Sequence, residues 1–413
     1  MAKLLAPFNS KAALWVKGRK GLIQRIETAL QFNDQPIIWM HAASLGEFEQ
    51  GLPVVELIKK QYPHHRILVT FFSPSGYEVR KNHPLADWIF YLPMDSPSNA
   101  AEFIAIVKPS IALFIKYEFW HFYLANLKKR NIPTILASGL FRKSQPFFQF
   151  WGSFHRKMLQ SFTFFFVQDE NSRRLLQNIG YKKNVMVSGD TRFDRVYQIA
   201  KENVPIDFAE KFCTGKTLIA GSTWPEDETL LKEWHQLQQE WKLVIAPHEI
   251  SAAHIQHLKR LFPNAVCLSE ISTTTIEFQT NVLIVDAMGI LSRLYWYGSL
   301  SYVGGGLKKS GHHNILEAAV YGKAVVTGPY IHKFSESVAL CQMKGSFIVH
   351  NGKDLYAITN NSELYEKAGE KARTFVQMNL GATEKIINWI DEYALAKNNP
   401  PIQTASGDEH IIK

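Results

Sequence analysis

Four segments of this 413-residue chain combine residue types that move protons, meet phosphates or let backbone approach a ligand. The first is His41-Ala-Ala-Ser-Leu-Gly-Glu47, directly after the apolar run Pro36–Met40. Its small residues and Gly46 permit a sharp turn at the end of a strand, and Glu47 then opens a helix. Free N–H groups and the helix dipole favour a negative charge there. A carboxylate so placed caps the helix or takes a proton from a substrate hydroxyl, and the residues alone leave both open. The second is Ile115-Lys116-Tyr117-Glu118-Phe119-Trp120. On an extended segment Lys116 and Glu118 share one face, either as a structural salt bridge or as a pair at the edge of a site. In the third, Ser188-Gly-Asp-Thr-Arg-Phe-Asp194, Arg192 suits a phosphate or carboxylate, or simply stands at the surface.

The fourth segment is the most specific: Val303-Gly-Gly-Gly-Leu307, then Ser310-Gly-His-His-Asn-Ile-Leu-Glu-Ala-Ala319, then Gly328-Pro-Tyr-Ile-His332. Glycines after a strand, Gly306 among them, admit close approach of a ligand. A helix starting near His313–Asn314 would offer N–H groups to a phosphate, and Glu317 one turn on would accept from ribose hydroxyls. Gly-Gly-Gly is neither GxGxxG nor a Walker loop, so nicotinamide and ATP fit poorly. Ser222 in Gly221-Ser-Thr-Trp-Pro225, Pro247 and His248 in Ala246-Pro-His-Glu249, and Met288-Gly289-Ile290 also follow apolar runs and line the same side. Adjacent His312 and His313 diverge on a helix, and no metal signature accompanies them.

Elements must bring these segments together. Strand-length apolar runs recur in two series, from Pro36–Met40 to Val185–Val187 and from Thr217–Ala220 to Ser346–Val349. Amphipathic stretches such as Glu47–Gln61 and Phe119–Arg130 lie between them. This is the rhythm of parallel α/β sheets, and it predicts two Rossmann-like, doubly wound domains facing across a cleft. Val196–Gly215, polar and containing Pro205, is the expected linker. The expected domains are 1–200 and 201–396, the second ending in a helix over Gly381–Leu395, with a loose tail over 397–413.

The composition is that of a folded globular protein, 46% hydrophobic and 20% charged. Three separated cysteines make no disulfide framework or zinc site and fit a reducing compartment. A net charge of +9 favours anionic partners. Lys11, Lys17, Arg19, Lys20 and Arg25, interleaved with Leu14, Trp15 and Leu22, suit an anionic membrane surface or a solvated helix. No apolar run is long enough to span a bilayer, and no signal peptide is evident.

In order and spacing, His-Ala-Ala-Ser-Leu-Gly-Glu, Tyr-Glu-Phe-Trp, Gly-Asp-Thr-Arg-Phe-Asp and Gly-His-His-Asn-Ile-Leu-Glu resemble the 3-deoxy-D-manno-octulosonic acid (Kdo) transferases of lipopolysaccharide synthesis, from about Trp15 to Trp389. The resemblance implies a GT-B glycosyltransferase that needs no metal or cofactor, takes CMP-Kdo as donor and a lipid A precursor as acceptor. It makes Glu47 the general base and places Arg192 where the family usually has a transition-state lysine. Pro247, His248, Met288 to Ile290 and Asn314 to Glu317 match the family's CMP-contacting segments, beside which Ser222 and Gly306 are expected on the nucleotide side from their own motifs. Two positions depart: Lys116 stands where many members carry a catalytic Glu, while Glu118 is retained, and His248 replaces a common Arg. Many members carry a hydrophobic anchor ahead of the Leu-Trp-Val-Lys-Gly-Arg-Lys segment, here at 14–20. The expected location is therefore the cytoplasmic face of the inner membrane, peripheral or through an anchor outside this chain.

The implied reaction is an inverting displacement in which Glu47 deprotonates the lipid hydroxyl as CMP departs. Two other readings compete. A GT-B-like sugar-nucleotide epimerase or hydrolase would turn over without a lipid. A basic nucleic-acid-binding protein would match the charge, but its aromatic residues sit in apolar runs and it has no RNA-binding motif.

Overall fold

Both series of apolar runs form strands in the computed structural model, which describes residues 9–202, 204–271, 280–309 and 311–395. The first series gives β1 (Ile37–Ala42), β2 (Arg66–Phe71), β3 (Trp88–Tyr91), β4 (Pro109–Ile115), β5 (Thr134–Gly139), β6 (Phe164–Val167) and β7 (Val185–Val187). They pair in the order β3-β2-β1-β4-β5-β6-β7, all parallel. The second gives β8 (Thr217–Thr223), β9 (Lys242–Pro247), β10 (Val266–Cys267), β11 (Val282–Ile284), β12 (Leu300–Val303), β13 (Val325–Thr327) and β14 (Ser346–Ile348). Their order is β10-β11-β9-β8-β12-β13-β14, again parallel.

Burial on both faces explains why these strands read as unbroken apolar runs. β1 is buried along its whole length. Trp39, Leu68, Phe114 and Leu136 enter one core of the first sheet. Their neighbours Ile38, Met40, Val69, Leu113 and Ile115 enter the other, as strand alternation requires. Strand order reverses between β1 and β4 in the first sheet and between β8 and β12 in the second. Crossovers leave such a pair to opposite sides and open a crevice at its carboxyl ends. Glu47 follows β1 and Glu118 follows β4; Ser222 is the last residue but one of β8 and Gly304 follows β12. The helix Leu45–Gln61 packs close to this point through Gly51, where a Cβ would come within 2.5 Å of Met40 Sδ and 2.9 Å of Ile115 Cδ1.

The chain forms two compact units, and their limits correct the expected ones. One unit runs through Arg195 and takes up the chain again from Leu380; the other is Val196–Asn379. The expected linker is largely helical, with Thr191–Glu202 running through the boundary and Asp207–Phe212 following it. Phe193 and Val196, three apart, are buried, a helical period that outweighs the segment's polar look. The terminal helix, Ala382–Trp389 continued by a wider turn over Ile390–Leu395, does not belong to the second unit. Its Ile386, Ile387 and Trp389 complete the second core of the first sheet. The expected tail over 397–413 lies outside the described residues, as does Ser310.

Asp194, the last residue of the third motif, clasps this returning chain. Its carboxylate accepts from the backbone N–H of Gly381 (2.7 Å) and Thr383 (2.7 Å) and from the Thr383 hydroxyl (2.6 Å). Asp194→Ala leaves these donors unmet and is expected to cost about 2–3 kcal/mol, read as a lower urea midpoint for the first unit. An unchanged midpoint would show the clasp to be dispensable.

Within the basic N-terminal segment, Arg19 serves the fold. Its guanidinium lies 4.1 Å from the Trp15 ring centre and 4.8 Å from that of Tyr91, and donates to the carbonyls of Leu92 (3.0 Å) and Phe72 (2.8 Å). Burial lowers its pKa to about 10. Lys11, Lys17, Lys20 and Arg25 stay exposed. Among the described residues no helix is long and apolar enough to cross a membrane.

Candidate active site

Glu47 sits in the first turn of its helix and caps it. The backbone N–H of Ser44 (2.9 Å) and the Ser44 hydroxyl (3.2 Å) both donate to Oε2, which closes the turn. Burial raises the carboxyl's pKa above the ordinary range and the charge of Glu118 raises it further, against the Ser44 hydrogen bonds and His41. A carboxylate whose affinity for a proton is raised is a better base.

Glu118 is held by a relay that starts on the neighbouring strands. The Trp39 indole N–H donates to Thr70 Oγ1 (2.8 Å), and that oxygen lies 2.9 Å from His41 Nδ1. His41 Nε2 lies 3.1 Å from Glu118 Oε2, which also accepts from the Trp120 indole N–H at 2.6 Å. If Glu118 is ionised, Nε2 must carry the proton, and Thr70 then donates its hydroxyl to Nδ1. His41 is fully buried and Glu118 is 8% exposed, so the second carboxylate is fixed in place.

Lys116 corrects an expectation. β4 ends at Ile115 and Lys116 takes φ +66°, so Lys116 and Glu118 do not share the face of an extended segment. This left-handed conformation is costly for a residue with a Cβ and tends to gather at functional sites. Glu118 turns to His41, whereas Lys116 helps to hold Asp190 ionised. Arg192 is likewise engaged within the unit: its Nε (2.8 Å), Nη2 (2.6 Å) and backbone N–H (2.9 Å) all donate to the Asp190 carboxylate. Gln50 Nε2, three residues after Glu47 on the same helix, adds a fourth bond at 2.6 Å. Burial alone would push the Asp190 carboxyl up; Arg192, helped by Lys116, outweighs it and holds the group below the usual carboxylate range. The structure thus brings Glu47, Lys116, Glu118 and Arg192 into one neighbourhood of the first unit. Sequence reasoning missed His41, Thr70, Gln50 and Asp190, which hold them there. His41 was findable as a polar residue at the end of an apolar strand.

In the second unit the aromatic rings are the surprise. His248, just beyond β9, packs against both Trp224 (ring centres 4.7 Å apart) and His313 (4.2 Å, planes 26° apart). The Trp224 indole N–H donates to His313 Nε2 at 3.2 Å, which leaves the ring proton on Nδ1. Lys308 lies 4.3 Å over the Trp224 ring. Asp227 ties the glycine turn to this platform by accepting from the N–H of Gly305 (2.8 Å) and Trp224 (2.9 Å) and from the Tyr302 hydroxyl (2.8 Å). Ser222 adopts φ +53°, and a Cβ on Gly304 would meet its carbonyl oxygen at 2.4 Å. Ser222, His248, Gly304 and His313 are therefore gathered at the β8–β12 reversal. Ile290 precedes the short helix Leu291–Leu294, whose Leu291 side chain reaches Gly221; Met288 is exposed and Gly289 takes φ +86°.

The phosphate-cradling helix start at His313–Asn314 is not formed. The helix spans only Leu316–Ala319, because the His313 N–H bonds to Gly304 O (3.2 Å) and the Leu316 N–H to Asn314 Oδ1 (3.2 Å). Asn314 Nδ2 donates to Glu317 Oε1 at 3.1 Å. Ile315 and Leu316 bury their side chains in the core. Gly306 answers first to packing, since a Cβ there would meet Thr327 Oγ1 at 2.4 Å.

Burial, with His248 and His312 nearby, pushes the His313 pKa down to about 4. A depressed histidine is neutral in the folded state, so its contribution to stability is complete above the ordinary value of 6.5 and is lost as pH falls toward 4. Comparing thermal unfolding of the wild type and His313→Asn from pH 7 to pH 4 should show the wild type losing more stability. Parallel losses would exclude this origin.

The sequence profile of the 3-deoxy-D-manno-octulosonic-acid transferase (kdotransferase) family matches residues 17–195, the span that carries Glu47, Glu118 and Arg192. The 3-deoxy-D-manno-octulosonic acid transferase of Haemophilus influenzae is 27% identical over 383 residues, 86% of this chain and 87% of that protein. The enzyme of the same name from Aquifex aeolicus is 28% identical over 353 residues, 83% of this chain and 91% of that one. Among solved structures, UDP-GlcNAc 2-epimerase from Neisseria meningitidis matches with a TM-score of 0.60 at 15% identity, covering 88% of this chain and 100% of that one. MurG of Acinetobacter baumannii matches at 0.53 and 11%, over 87% and 99%. At such identities these two establish the fold alone, the GT-B type with two Rossmann-like domains. The sequence relatives reach further: over more than four fifths of its length the chain is similar to 3-deoxy-D-manno-octulosonic acid transferases, and residues 17–195 match that family's profile.

Proposed function

We propose that this glycosyltransferase moves Kdo from CMP-Kdo to a primary hydroxyl of a lipid A precursor with inversion, in lipopolysaccharide synthesis. The observation that carries the reading is the pair of carboxylates Glu47 and Glu118 at the β1–β4 reversal. One has its proton affinity raised by burial and by the other's charge. The other is pinned by His41 and Trp120. Glu47 takes the acceptor's proton, the acceptor oxygen bonds to the anomeric carbon, and the bond to CMP breaks with its electron pair leaving on the phosphate. The second unit binds the nucleotide; the Trp224–His248–His313 stack offers a face to the base and Lys308 a cation to the phosphate. Glu317 remains the partner for ribose hydroxyls. We expect no metal dependence, so that EDTA leaves the rate unchanged. Incubation of the enzyme with freshly generated CMP-Kdo and a lipid acceptor, followed by mass spectrometry, should add the mass of Kdo to the lipid. Donor consumed while the lipid mass stays constant would favour a hydrolase instead.

A further inference from the structure

From Phe119 to Gln168 the chain carries no Asp or Glu. Within that span Lys128, Lys129, Arg130, Arg142, Lys143 and Lys157 are exposed. At its centre three large apolar side chains face solvent: Phe150 is 94% exposed, Trp151 54% and Phe154 53%. Singly they would be unremarked; three in five residues, within a segment whose charged side chains are all basic, call for a partner.

The loop that carries them is built. Phe147 is buried and packs its ring 4.7 Å from that of Phe119. Arg156 Nη1 donates to the carbonyls of Phe147 (3.2 Å) and Gln149 (2.8 Å), and Gln149 Nε2 to Lys143 O (2.6 Å). Gly152 lies so close to Pro146 that a Cβ would fall 1.8 Å from its carbonyl oxygen. Phe148 packs partly into the core while Phe150 points outward, so apolar side chains are divided between inside and outside by a fixed turn. The patch also adjoins the candidate site. The Phe154 ring lies 4.9 Å from that of His121, the residue after Trp120, which holds Glu118.

We propose that this loop docks on an anionic bilayer, with Phe150, Trp151 and Phe154 entering the headgroup region and the flanking Arg142, Lys143 and Lys157 meeting lipid phosphates. Aromatic side chains prefer that interface, and clustered cations are drawn to anionic leaflets. The inference rests on the proposed function only in that the same bilayer would present the acceptor near Glu118. It moves the main contact away from the N-terminal segment, where Arg19 is engaged within the fold.

The test is sedimentation of the full chain with phosphatidylcholine vesicles and with vesicles that also contain phosphatidylglycerol. The wild type should partition onto the anionic vesicles and much less onto the neutral ones. Phe150→Ser/Trp151→Ser/Phe154→Ser should bind at least about 10-fold more weakly, with an unchanged circular dichroism spectrum. The same variant should transfer normally to a detergent-dispersed acceptor. Lys143→Glu/Lys157→Glu, which spares the apolar side chains, should weaken binding and reduce its salt dependence. Three results overturn the proposal: equal binding by triple variant and wild type, no preference for anionic lipid, or binding to single-stranded RNA in place of vesicles. Absence of Kdo transfer with vesicle binding intact would refute the proposed function and leave this surface standing.

Discussion

Glu47→Gln is expected to transfer Kdo about 10²–10⁴-fold more slowly than the wild type, with little change in stability or donor binding. Glutamine suits this test because it keeps the structural half of Glu47's work. Its amide oxygen still accepts from the Ser44 N–H, as the reciprocal cap requires. What it loses is the ability to take a proton. Alanine would remove both functions, and a slow enzyme would then have two explanations. Rates should be compared at saturating donor, with binding of a CMP ligand measured by calorimetry. A glutamine variant working at wild-type rate would reduce Glu47 to a helix cap.

The neighbouring carboxylate supplies an internal check. A carboxylate serves as a base only when ionised, so with Glu47 in the proposed role kcat/KM should rise with pH through its elevated pKa. Burial and the charge of Glu118 both contribute to that elevation. Glu118→Gln removes the charge while leaving an acceptor for His41 and Trp120. The acid limb of the profile should therefore move to lower pH. A limb that stays in place would mean that some other group controls it.

Much of the scaffold was legible because parallel strands covered on both faces must be apolar throughout. Each expected run became a strand, with ends shifted by one or two residues in most cases, as at β1, which extends to Ala42 and so includes His41. Glu47 was legible too, since a small-residue turn followed by an acid is a local pattern. Long-range pairing was less so. That His41 meets Glu118 depends on β1 lying beside β4, a consequence of strand order. The return of the terminal helix to the first core was hidden for the same reason: nothing local in Ile386 or Trp389 names the sheet they cover. The supposed phosphate-binding helix failed for a local cause. Asn314 and Gly304 satisfy N–H groups that a longer helix would have left free.

Arg192 tests whether a residue can be read from its motif alone. The resemblance makes it a stabiliser of the transition state, yet its strongest visible partner is Asp190, 6% exposed and bonded to it three times. Arg192→Met should destabilise the first unit by about 3 kcal/mol, because it strands a buried carboxylate. Arg192→Met/Asp190→Asn removes both charges and should recover all but about 1 kcal/mol of that loss. Transfer decides between the roles. If Arg192 also meets charge developing on the departing nucleotide or the sugar, the double variant will fold normally and still work about 10²-fold more slowly. Arg192→Lys keeps a cation and should retain most of the rate. Should the double variant regain wild-type transfer along with its stability, Arg192 acts only through Asp190 and Gln50, by fixing the helix from which Glu47 projects.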